Sequence, residues 1–361
     1  MVTGRKGFTL LEVILVIAIL SIIIMMGSET FTYILKGTRK ETGTITSQIE
    51  TTLALNIIRY DVEHAGYGLC KKFMGNINYQ EASESEAHQY NDAPSGIPKP
   101  ILSGNNVGLN GSDRLIVKSV IAGVNETCTK WTYVKFGEPP KIWDNEKIRL
   151  KNNERVVVIK PGSTKDRMDE LVMDSDGSFF TLFNSSGLSA GFSPKMENEK
   201  YIIYGVDPDT NLRMPFNRAD YFIRRPTSGM PKKCAPNTAI LYKANVNHAT
   251  GSLNYMPLMD CVADFQIIFG IDVNGDKIVD DYIDDISSYN AQTIRNRIKE
   301  IRLYILTHEG KRDRDFKFKE SKIYVGEFEK GREFNFQQVI GSGWDNYKWK
   351  IYSIVVHPRN L

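Results

Sequence analysis

Between Asp272 and Asp280 the chain sets side-chain oxygens on nearly alternate residues: Asp272, Asn274, Asp276 and then Asp280. A hard cation such as Ca²⁺ takes six to eight oxygens, and alternate residues of a tight loop can converge on one ion. Counting Asp272 as position 1, side-chain oxygens fall at positions 1, 3, 5 and 9, and the Ile278 carbonyl stands at 7. The pattern departs from an EF-hand. Gly275 sits at position 4, Lys277 at 6 where the hand has Gly, and Ile283 at 12 where it has a bidentate Glu. Asp281 or Asp284 could supply the missing carboxylate, and spacing does not choose between them. The expectation is a Ca²⁺ loop within 272–284, held by Asp272, Asn274, Asp276, Ile278 and Asp280. Asp174-Ser175-Asp176-Gly177 lacks further oxygens and reads as a turn.

Other reactive residues are scattered. Cys70, Cys128, Cys234 and Cys261 contain no CxxC pair, so a zinc ribbon is not supported. An even count suits two disulfides in an exported region, with three possible pairings. The pairing of sequence neighbours joins Cys70 to Cys128 and Cys234 to Cys261. The histidines, His64, His88, His248, His308 and His357, form no metalloprotease pattern. No nucleophile elbow or phosphate-binding loop accompanies them, and the expectation is a protein that is not an enzyme. The net charge is +3. This small excess predicts no nucleic-acid partner, which needs a basic patch or stripe. The run 311–315 mixes signs and reads as a solvated loop.

One carboxylate stands apart. Glu12 interrupts an apolar run from Phe8 to Met26, 19 residues long. As a helix rising about 1.5 Å per residue, that run spans roughly the hydrocarbon thickness of a bilayer. It is too long for a signal-peptide core and no small-residue cleavage site follows. Arg5 and Lys6 place the N-terminus in the cytoplasm and the rest outside. A carboxylate inside a membrane is costly and calls for a partner. No other charge lies between Phe8 and Gly27. Cleavage after Gly7 would expose an α-amino group on Phe8, a cation able to meet Glu12 of a neighbouring subunit.

These residues need elements to hold them. Ile45, Ile49, Leu53 and Ile57 recur every four residues, with Ile58 and Val62 beside them, which predicts an amphipathic helix continuing the apolar run. Gly37 and Gly43 weaken it locally, and Gly66 and Gly68 suit its end. Residues 71–112 read as long loops with little regular structure. Beyond them β-like runs alternate with turns, at 114–117, 131–136, 155–159, 201–204, 221–223, 239–242 and 261–269. A short helix within 292–301 should pass into a strand through 306, and Trp349–His357 should close the chain. The expected fold is α+β, a long N-terminal helix on a mainly antiparallel β region.

Gly7-Phe8-Thr9-Leu10-Leu11-Glu12 resembles the GFTLxE signature of type IV prepilins and pseudopilins. The resemblance implies a cleaved leader, 1–7, with the prepilin peptidase cutting after Gly7 and methylating Phe8. It implies that Glu12 docks each subunit against its neighbour. Loss of Arg5 and Lys6 would take the charge from +3 to 3 − 2 = +1. Three further stretches narrow the likeness to large PilW-type minor pilins. Arg59 to Cys70 is similar to their RDIRxAGYxxC segment, and Phe269 to Asp284 to their YGxDxxGDxxxDxYxxA stretch. Tyr352 to Asn360 resembles a C-terminal strand shared with J-type pseudopilins of type II secretion. Phe269 replaces a Tyr, and Ile286 stands near the expected Ala. The organisation implied is leader 1–7, helix 8–68 with its membrane or filament-core part at 8–27, and an exported β-rich region 69–361. The function implied is a non-catalytic minor pilin that primes or caps a type IV pilus. A J-type pseudopilin and a pilus-tip adhesin are the alternatives. The partners implied are the prepilin peptidase, other minor pilins and the major pilin. The location implied is the inner membrane, single-pass, then periplasm or extracellular pilus.

Overall fold

The computed structural model describes residues 10–162 and 168–361. Helix α1 (Leu10–Glu63) runs unbroken for 54 residues, through both Gly37 and Gly43. Three short helices follow: α2 (Ser85–His88), α3 (Ala291–Arg297) and α4 (Phe336–Val339). The strands of the first half are β1 (Lys72–Phe73), β2 (Ile101–Gly104), β3 (Arg114–Ser119), β4 (Trp131–Lys135), β5 (Arg155–Lys160), β6 (Glu170–Leu171), β7 (Thr181–Leu182) and β8 (Lys200–Asp207). Those of the second half are β9 (Asn217–Arg224), β10 (Ala239–Val246), β11 (Leu253–Ile271), β12 (Asp281–Ile283), β13 (Ile298–Glu309), β14 (Lys322–Glu327), β15 (Lys330–Asn335) and β16 (Lys348–Val356).

The larger sheet has the order β16-β13-β11-β10-β9-β3-β2, with β12 added to β11. A smaller sheet, β1-β6-β5-β8-β4 with β7 on β5, and the hairpin β14-β15 complete the α+β fold. Every pairing is antiparallel except β1 with β6. Strand β11 shows how the core divides. Phe265, Ile267, Phe269 and Ile271 join the cluster that contains α1, while Ile268 joins a second one with Val325 and Phe334 of the hairpin. Alternation along a strand sends successive side chains to opposite faces, so one strand serves two cores.

The packed face of α1 keeps only the C-terminal part of the stripe expected from spacing, Ile58 and Val62. Ala54, Ile58, Val62 and Ala65 are buried against the larger sheet, at helical intervals of three and four. Ile45, Ile49 and Leu53 are more than half exposed. They share a helix face with one another but lie N-terminal to, and turned from, the sheet contact. The helix stops at two glycines. Gly66 adopts φ 82° and Gly68 φ 68°, and a Cβ on Gly68 would stand 2.6 Å from Val120. Only glycine combines that backbone with that approach.

Residues 71–112 hold little regular structure, as expected, yet buried side chains such as Tyr79, Glu81 and Ala87 anchor them. A charge network pins them to β3 and β9. Lys118 Nζ lies 2.7 Å from both Glu81 Oε2 and Asp92 Oδ2. Arg218 reaches Glu81 at 3.1 Å and Asp220 at 2.7 Å, and Arg114 reaches Asp220 at 3.0 Å. Three cations meet three carboxylates, all nearly inaccessible to water. Buried charges persist when so paired and hydrogen-bonded. Arg218 adds bonds to Asn91 Oδ1 and the Ala87 carbonyl.

A second buried pair holds α1. Lys243 Nζ of β10 lies 2.6 Å from Asp61 Oδ2, and the Tyr221 hydroxyl of β9 donates to the same oxygen at 2.5 Å. The chain end then returns to the helix. The Arg359 amide donates to the Glu63 carbonyl at 2.9 Å, and its guanidinium lies 3.2 Å from the Glu63 carboxylate. A cation beside the last helical carbonyls also complements the helix dipole.

Candidate functional site

The residues expected to serve assembly fall on the exposed half of α1. Gly7 and Phe8 lie outside the described residues. Glu12 sits in the first turn and is exposed. Around it Leu10, Leu11, Ile14, Leu15, Val16 and Ile17 are each more than half exposed. Contiguous apolar surface on this scale marks an interaction or membrane face. Among the described residues no helix is long and apolar enough to cross a membrane. The expected span 8–27 falls partly outside them: residues 8 and 9, and the side chains of 22, 23, 26 and 27.

The acidic loop is a tight turn closed by its own side chains. Asp272 accepts the Gly275 amide at 2.6 Å and the Lys277 amide at 2.8 Å, one on each carboxylate oxygen. Burial works against its charge, but these amides outweigh it and hold the carboxyl below the usual carboxylate range. Asp280 Oδ2 accepts the Val273 amide at 2.7 Å. Asn274 Nδ2 donates to Asp276 Oδ2 and Asp280 Oδ1, each at 3.2 Å. Asn274, Asp276 and Asp280 are thus brought together, and the Ile278 side chain points to solvent. The oxygens have the hardness that Ca²⁺ requires. Asp281 Oδ1 is turned to the Tyr282 amide.

The cysteines correct the sequence reading. Cys234 and Cys261 form a disulfide, but Cys70 and Cys128 are free and buried. Their environments explain the failure to pair. Cys70 is anchored where its carbonyl accepts from Arg295, beside the end of α1. The Cys128 thiol contacts Asn125 Oδ1, the Val206 carbonyl and Asn217 Nδ2. Burial pushes the Cys70 thiol up to about 12 and that of Cys128 up to about 11, so both stay protonated and inert. Among the described residues, Cys234, Cys261 and His308 form the one group of three potential metal ligands, and the two sulfurs are already bonded. His308 Nε2 accepts the Ala235 amide at 2.9 Å, and burial lowers the ring to about 4, which keeps it neutral.

Sequence reasoning missed a basic cleft of about 1160 Å³ between the segment after Cys70, the acidic loop, α3 and the chain end. Its cations come from positions between 71 and 359, too dispersed to register as a motif.

The fold and the exposed N-terminal helix define a pilin-like α+β protein. Residues 3–28 match the prokaryotic N-terminal methylation motif, and residues 220–360 match the family described as Type IV Pilus-assembly protein W. These two matches support a type IV prepilin-like protein, a minor pilin of the PilW type. No curated protein and no solved structure matches it.

Proposed function

We propose that this chain primes or caps a type IV pilus as a non-catalytic subunit, held in the inner membrane until assembly. The observation that carries the reading is the set of solvent-facing apolar side chains of α1, among the described residues those from Leu10 to Met25 and again Ile45, Ile49 and Leu53. Bundled with other such helices it would be buried, at roughly 25 cal/mol per Å² of apolar area removed from water. The peptidase would cut after Gly7, and Glu12 would meet the amine of a neighbouring subunit. The acidic loop would hold Ca²⁺ through Asp272, Asn274, Asp276, Ile278 and Asp280. There the ion would replace the Asn274 amide as the partner of Asp276 and Asp280, and would stiffen the exported surface. The test is N-terminal mass and sequence of the protein from native membranes or sheared filaments. An N-methylated Phe8 is expected. A chain that retains 1–7 in cells with active peptidase would overturn the proposal.

A further inference from the structure

The basic cleft gathers the three stretches that the resemblance singled out. Lys71 just after Cys70, the acidic loop and the Arg359-Asn360 ending all border it, and Arg295 of its wall donates to the Cys70 carbonyl. Among the described residues six cations line it: Lys71, Lys99, Lys277, Arg295, Lys299 and Arg359. Two carboxylates, Asp92 and Asp272, oppose them. Both are engaged elsewhere, Asp92 with Lys118 at 2.7 Å and Asp272 with its loop amides. Lys71 lies 3.7 Å from Asp169, and Arg359 pairs with Glu63. Among the described residues Lys99, Lys277, Arg295 and Lys299 form no ion pair. Arg295 is the sharpest case. It is 8% exposed, and its guanidinium donates only to the carbonyls of Ala291, Cys70 and Pro98. A buried cation without an ion-pair partner is costly unless an anion completes the site. A cleft with an excess of cations also concentrates ligands of the opposite sign.

We infer that this cleft receives a carboxylate-rich peptide segment of a neighbouring pilus subunit. Its volume exceeds what a single inorganic anion needs. Among the described residues no aromatic ring lines it, so they offer no platform on which nucleic-acid bases could stack. Asn290, Gln292 and Asn296 offer amides that can both donate to and accept from a peptide backbone. The inference rests on the minor-pilin reading for its choice of partner.

The test uses the full chain in detergent and a fluorescein-labelled hexaglutamate peptide, followed by anisotropy at low and physiological salt. Wild type should bind saturably. Lys99→Gln, Lys277→Gln and Lys299→Gln together should weaken binding about tenfold. Removing the same charge outside the cleft, with Lys141→Gln, Lys147→Gln and Lys151→Gln, should leave it unchanged. Urea midpoints of both triple variants confirm that each is folded. No saturable binding, or equal losses in the two variants, overturns the cleft. Tighter binding of an oligothymidylate of equal charge, or full competition by millimolar phosphate, overturns the peptide assignment. Failure of the pilin reading is seen separately, as an unprocessed N-terminus on a chain that still binds the peptide.

Discussion

Asp61→Ala should loosen the exported region from α1. Lys243 Nζ lies 2.6 Å from the Asp61 carboxylate, and the two side chains are 7% and 3% exposed. Removing the carboxylate leaves an ammonium buried without its counter-charge, which costs about 3–5 kcal/mol. The Tyr221 hydroxyl loses its acceptor as well, adding about 1 kcal/mol. The sum is a third or more of the stability of an ordinary domain, about 5–15 kcal/mol. The pair can also be replaced. Asp61→Leu with Lys243→Met substitutes apolar groups of similar size, and buried pairs replaced this way are often neutral. The double variant should therefore recover to within about 1–2 kcal/mol of wild type. The assay is urea unfolding of the full chain in detergent, read by tryptophan fluorescence and analysed as a double-mutant cycle. If Asp61→Ala costs under about 1 kcal/mol, or the double variant merely adds the two single losses, the helix is not held by this pair and the reasoning fails.

Four further outcomes follow from the structure. Glu12→Ala should leave the soluble fold intact and drop the subunit from sheared filaments to background; incorporation at wild-type levels would remove Glu12 from assembly. Cys234→Ser should cost about 3–4 kcal/mol on the chain-entropy relation for a closed loop of 27 residues, measured against the urea midpoint of the oxidised protein. His248 and His308 are buried neutral rings lowered to about 4 from 6.5, so stability present above pH 6.5 is lost as the pH falls towards 4. Each contributes up to about 3 kcal/mol to that loss, and His308→Gln should flatten its share of the pH profile. Calcium should raise the thermal midpoint of wild type but not of Asp280→Asn, and equal shifts in both would place any binding elsewhere.

The elements were legible where local pattern and tertiary packing agree. Strand β16, the passage from α3 into β13, and the glycine stop after α1 follow from periodicity and backbone chemistry. The hairpin β14-β15 escaped because its turn carries no glycine. Phe328 and Glu329 hold φ of 55° and 58° there, and the Phe328 ring stacks on Tyr282 with centroids 3.9 Å apart. Such a turn is stabilised by a residue distant in sequence, so no local signal announces it. The N-terminal part of the α1 stripe misled for a related reason, while Ile58 and Val62 pack as expected. Four-residue spacing identifies a helix face but not what covers it, and Ile45, Ile49 and Leu53 face outward. The acidic loop was visible because its residues are contiguous. The cleft was not, because its cations meet only after folding. Nearest-neighbour pairing of cysteines served Cys234 and Cys261, which the strand geometry brings together, and failed for Cys70 and Cys128, each enclosed in its own hydrogen-bonded surroundings.

The network under residues 79–98 also sets an order in time. Arg218 reaches Glu81 across 137 positions of chain. Lys118 of β3 can meet Glu81 and Asp92 earlier, but Glu81 gains its second cation only once β9 lies beside β3, and closing so long a loop is an entropic burden that no local contact repays early. A chain emerging N-terminus first must therefore leave this segment only partly fastened while more than a hundred later residues appear. Its ordering is a late event, completed by the strand that carries Arg218, and a chain truncated before that strand should offer 79–98 to any protease that meets it.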